Sequence, residues 1–262
     1  MPQTDYASSI HHRAGPAMLH AALCLGLAGC CGNPQCETPL SNERTPVESV
    51  AFWGPWTNPE FDTFRVIVTT GPYRVGDFAL EQLRAAMAEQ AGLNVTVEDG
   101  TDTGLPTGVV VDELDLLEAA ADQIPDGDDA VLIVVLVDDS NAINATYGFI
   151  ETYTTYAGRP LAITGLHRAN IVNVAVGPVT PDVIEAGTLI HEVGHWLDVP
   201  ARAYHTSAVD GVHCTSARCV MFSGGRANAC AIQANLCSGY PLRFCPDCAE
   251  ELAELQARRQ QQ

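Results

Sequence analysis

The hydrophobic and polar positions of the 262-residue chain alternate between two periods, and the alternation predicts an α/β fold. "TFRVIVTT" (63–70) is rich in β-branched residues and closed by Gly71-Pro72, which reads as a strand. Across 75–91, Phe78, Leu83, Met87 and Ala91 recur at helical spacing, with Gly92 as the stop. "LNVTVED" reads as a second strand and "VDELDLLEAAADQI" as a short acidic helix. "AVLIVVLVDD" (130–139) is a continuous apolar run, the pattern of a central strand buried on both faces. "ATYGFIETY", "PLAITGL" and "NIVNVAVG" supply three further strands around Gly158-Arg159-Pro160. This order predicts a mixed sheet with helices in one domain.

The next element carries clear start and stop signals. Thr180 can cap a helix, Pro181 suits its first turn, and Asp182 complements the positive end of the dipole. The helix runs to about Leu197, because Pro200 cannot continue it. Ile184, Leu189 and Val193 would bury one side, while His191 and His195, one turn apart, share a face. Near the C-terminus, "CPDC" opens a second helix whose Leu252 and Leu255 are spaced to dock on the core.

Within the first of these helices the sequence reads "HEVGH". Two imidazoles at i and i+4 can reach one zinc ion, and the glutamate beside the first points toward the metal's open position. There Glu192 can take a proton from zinc-bound water, whose pKa the metal lowers to about 7. A catalytic zinc normally has three protein ligands, so a third must come from elsewhere. His213 and His205 are the candidates, with Asp198 and Asp210 as weaker ones.

Two cysteine blocks follow, "HCTSARCVM" (213–221) and "FCPDCAEEL" (244–252). Together with "HEVGH" they resemble the signature of the archaemetzincins, a family of zinc metallopeptidases. In that signature the third histidine is joined directly to a cysteine. A second cysteine, a methionine and a later C-x-x-C pair then follow at the spacings seen here. The resemblance covers about residues 180–255. It implies a metzincin-like fold: a mixed twisted sheet, an active-site helix, a Met-turn and a C-terminal helix. It further implies that His191, His195 and His213 bind a catalytic zinc, and that Glu192 serves as general base and then as proton donor. Met221 would form the apolar floor, and Cys214, Cys219, Cys245 and Cys248 would hold a second, structural zinc.

The chain departs from the pattern after His195. Asp198 and Ala201 stand where the family has glycine and the third histidine. If His213 is the ligand, about twelve residues are inserted before it. The adjoining Cys214 favours His213 over His205. A second insertion, between Met221 and Cys245, contains Cys230 and Cys237, which could form a disulfide outside the cytosol. In the same compartment the other four cysteines could pair as disulfides instead of holding zinc.

Residues 17–29, "AMLHAALCLGLAG", have the length of a signal-peptide core and are too short to span a bilayer. The run ends in "LAGC", which resembles the lipobox of bacterial lipoproteins and would make Cys30 the lipidated residue. The expected organisation is a signal peptide over 1–29, a lipid-anchored tether over 30–62 and a catalytic domain over 63–262. The protein would then be extracytoplasmic, in the periplasm or cell envelope, or secreted. A formal net charge of −19 argues against a nucleic-acid partner. The expected function is hydrolysis of a peptide or protein substrate by a monomer, with membrane contact only through the lipid. An edge strand near 147–166 could align the peptide. The alternative is a non-catalytic, zinc-stabilised surface lipoprotein that binds a partner.

Overall fold

The structure is a computed structural model. It describes residues 63–70, 73–105, 118–120, 122–127, 129–137, 147–156, 159–173, 175, 179–207, 211–216, 218–222 and 242–261. The signal peptide, the tether, Cys30, Asp210, Cys230 and Cys237 lie outside these residues, as does most of the expected acidic helix, of which 118–120 are helical.

Five strands form one sheet in the order β2-β1-β3-β5-β4: β1 (Thr63–Thr70), β2 (Asn94–Asp102), β3 (Ala130–Val137), β4 (Gly148–Tyr156) and β5 (Arg159–His167). β2, β1, β3 and β5 are parallel neighbours, whereas β4 pairs antiparallel with β5 and forms one edge. β3 is buried along its whole length, and its period of two divides it between two cores. Ala130, Leu132, Val134 and Leu136 face the helical layer, while Val131, Ile133, Val135 and Val137 join Ile67, Leu161 and Ile163 on the other side. The continuous apolar run is therefore what a strand covered on both faces requires.

The helical layer begins with α1 (Asp77–Ala86), which continues through one wider π turn, Met87–Ala91, and stops at Gly92 in the left-handed region (φ 61°). α2 (Arg168–Asn173) follows β5 directly, and α3 (Pro181–Trp196) packs against α1, β4 and β5. α4 (Pro246–Arg259) closes the described chain and docks Leu252 and Leu255 into the core. Trp196, at the end of α3, meets Phe64 of β1 edge-on at 5.6 Å between ring centroids.

One sequence expectation needs correction. "NIVNVAVG" is not a strand where it is described, because residues 168–173 are helical. Its β-branched residues suggest alternation, but only Ile171 enters the core; Val172 is exposed and Ala175 is partly buried. One inward residue in six suits a single helical turn leaving the sheet better than a strand with a buried face.

Candidate metal centre

α3 begins as its sequence directs. Thr180 Oγ1 accepts from the Val183 N–H (3.4 Å), with Pro181 in the first turn. From Val183 to Trp196 every residue is buried except His191 and His195, which are half-buried. The helix thus sits inside the protein, and over this stretch its two histidines are the residues left partly exposed. Beyond Leu197 the chain turns through Asp198, whose φ of 58° is left-handed, and the Asp198 N–H donates to the His195 carbonyl (3.0 Å). An aspartate, which tolerates this conformation better than most residues, thus makes the turn.

The chain returns to the helix at His213. The Ser207 N–H donates to the His213 carbonyl (2.6 Å), the Cys214 N–H donates to the Met221 carbonyl (2.9 Å), and Thr206 bridges Cys214. The rings of His191, His195 and His213 stand 4.7–5.0 Å apart centroid to centroid, and each offers a nitrogen to one point. His191 Nδ1–H donates to the Val220 carbonyl (2.8 Å), which leaves Nε2 with its lone pair, 3.1 Å from His195 Nε2. Two nitrogens bound tetrahedrally to one zinc would be about 3.3 Å apart. The three residues fit that ion.

Electrostatics agree with a ligand role. Burial, then the charges of His191 and His213, push His195 down to about 2, which keeps its imidazole neutral. Burial pushes the Glu192 carboxyl up to about 8. A dication in the neighbouring histidine cage would favour its ionised form again. Met221 is fully buried beneath α3 and rests against Gly194; a Cβ there would overlap its sulfur. The absence of a side chain at Gly194 makes room for the methionine.

A second group lies nearby. Cys214, Cys219, Cys245 and Cys248 are all buried, with their sulfurs facing one another. Cys214 Sγ is 3.7 Å from Cys245 Sγ, and Cys219 Sγ is 3.6 Å from Cys248 Sγ. A disulfide requires about 2.05 Å. Tetrahedral thiolates around zinc stand about 3.8 Å apart. The spacing fits a metal ion and not a pair of disulfides. The Ser216 N–H points at Cys214 Sγ (3.4 Å) and the Cys245 N–H at Cys219 Sγ (3.3 Å), donors that thiolates bound to a metal would accept. The closed cysteine group and the half-open histidine group match the usual contrast between structural and catalytic sites.

Of the competitors for third ligand, His205 lies at the cysteine group and not with the histidines. It is fully buried, with Nε2 2.8 Å from Glu251 Oε1 and Nδ1 facing Cys214 Sγ. Burial opposes its charge, but hydrogen bonds to Cys214 and Glu251 outweigh that and raise it to about 10. Asp198 is exposed and belongs to neither group. Sequence reasoning missed Glu251 and the Val220 carbonyl. Glu251 was within reach: it lies one turn after Cys248 and one before Leu255, on the buried stripe of α4, where a carboxylate needs a partner. A backbone carbonyl leaves no such trace.

No family model and no curated protein matches the chain. Among solved structures, it is similar to archaemetzincin from Methanopyrus kandleri, with 18% sequence identity and a TM-score of 0.41, over 74% of this chain and 95% of that one.

Proposed function

We propose that the protein is a zinc metallopeptidase. The observation that carries this reading is the convergence of His191, His195 and His213 at the half-open end of a buried helix that also bears Glu192. The histidines would hold a catalytic zinc and the four cysteines a structural one. When bound at the histidines, zinc supplies a Lewis acid that polarises the scissile carbonyl and acidifies water.

The chain's own residues do the rest. Glu192 receives the proton of the attacking water and passes it to the leaving amine. Val220 holds His191 in the tautomer that presents Nε2, and Met221 supports the helix from below. β4 pairs only with β5 among the described strands, so its outer edge can take an extended peptide as a further strand. Its first residue, Gly148, approaches α3 closely: a Cβ would stand 2.7 Å from Thr188 Cγ2, three residues before His191. That brings the edge to the catalytic helix. Attachment to a membrane through Cys30 and an extracytoplasmic location belong to the same proposal and rest on the sequence of residues 17–30 alone.

Incubating the zinc-loaded protein with a broad peptide library tests the reading. Cleavage is expected, and Glu192→Ala should lower kcat/KM by about 10²–10⁴ while retaining the metal. Unchanged turnover in Glu192→Ala would overturn the mechanism. A fully metallated protein that cleaves no peptide would instead support the non-catalytic binding protein.

A further inference from the structure

Contacts among the described residues join the loop between His195 and His213 to the cysteine group and α4 along its length. At its start, the Ala201 and Arg202 N–H groups donate to the two oxygens of Glu251 (3.0 and 2.7 Å). In its middle, His205 Nε2 meets Glu251 Oε1 at 2.8 Å. The other ring nitrogen of His205, Nδ1, lies 3.6 Å from Cys214 Sγ and 3.8 Å from Cys248 Sγ. On the return, the Thr215 N–H donates to the His205 carbonyl (2.8 Å). His205 and Glu251 are both fully buried.

The direction of the central contact follows from its partners. Thiolates that bind a metal carry no hydrogen, so the hydrogen between His205 and the sulfurs belongs to Nδ1. A donor aimed at ligand thiolates spreads their charge and fixes their orientation, the usual work of groups around a metal's own ligands. Glu251 fixes the ring and secures the start of the loop with the same carboxylate.

We propose that His205, held by Glu251, is a positioning residue of the four-cysteine metal site: it donates from Nδ1 to Cys214 and Cys248 and ties the loop delivering His213 to that metal. This rests on the reading that the four cysteines hold a metal. The inserted loop thereby becomes part of the cysteine centre, although none of its described residues is among the four ligands.

The test uses the full protein loaded with cobalt(II), whose sulfur-to-metal charge-transfer absorption reports the cysteine site and not the histidine site. His205→Leu should shift that band and speed metal release to a chelator by about 10–100-fold. His205→Asn, which places an amide N–H near the position of Nδ1, should recover most of the wild-type band. Glu251→Gln should give an intermediate release rate. A His205→Leu band and release rate equal to wild type, or an asparagine variant no better than leucine, would overturn the proposal. No thiolate band in the wild type would overturn the cysteine-site reading itself, and this proposal with it.

Discussion

Asp198 occupies a backbone position that most side chains avoid, with φ at 58° just beyond the end of α3. A non-glycine residue there pays about 1–2 kcal/mol, offset in part by the smaller entropy its unfolded chain loses. Asp198→Gly is therefore expected to stabilise the protein by about 0.5–1 kcal/mol, read as a higher midpoint in chemical denaturation. A lower midpoint would mean that the carboxylate has a compensating partner. The need for such a turn is legible in the sequence, because Pro200 ends the helix and the chain must reverse. The choice between His205 and His213 is not settled by spacing. Both histidines follow α3 at distances a loop can span, and only the hairpin that pairs Ser207 with His213 and Thr206 with Cys214 separates them in space.

Between elements, α3 and α1 are joined by a polar contact. Glu185 of α3, 9% exposed, accepts the Gly76 N–H at the start of α1 (2.6 Å). Burial raises its carboxyl above the ordinary range, the Gly76 hydrogen bond lowers it, Asp182 raises it and Arg168 lowers it. A carboxyl raised on folding binds more protons in the native state. Its contribution is therefore complete below the ordinary carboxylate range and is lost as pH rises through the raised folded value. Glu185→Gln keeps an oxygen for Gly76 and removes the charge. The stability of the wild type relative to this variant should fall as pH rises above the carboxylate range and then level off. A difference that is flat with pH would show that Glu185 ionises as it does in the unfolded chain. Patterning makes the two helices legible, since their apolar periodicity and stop signals are strong. It fails at α2, where β-branched residues in a six-residue turn mimic a strand and only the surrounding packing decides.

Across the molecule, the two candidate centres differ in access. The histidine group is half-buried and offers three candidate ligands, whereas the cysteine group is buried and offers four. With both filled, a chelator at neutral pH should remove metal in two phases, the faster one abolishing activity and the slower one accompanying loss of the fold near 213–221. A single phase with concerted unfolding would show that the two metals cannot be removed independently. This arrangement was largely written in the cysteine and histidine blocks, because ligand chemistry leaves residue types at fixed spacings. Its second layer, made of Glu251, His205 and a peptide carbonyl, was not, because those contacts join segments far apart in the chain.

His213 and Cys214 are neighbours in sequence and belong to different groups, so a wall one peptide thick separates the two centres. Four thiolates around a dication carry two net negative charges, and three neutral imidazoles around another carry two positive ones. The two would be close neighbours, since the Cα atoms of His213 and Cys214 adjoin at about 3.8 Å. Each centre would then act as the other's counter-ion, and the medium between them is protein that mobile salt does not enter. Zinc affinity at the histidines should consequently change little between about 0.05 and 0.5 M salt, a range over which attraction between exposed charges collapses. A steep salt dependence would locate the attraction in the acidic surface instead.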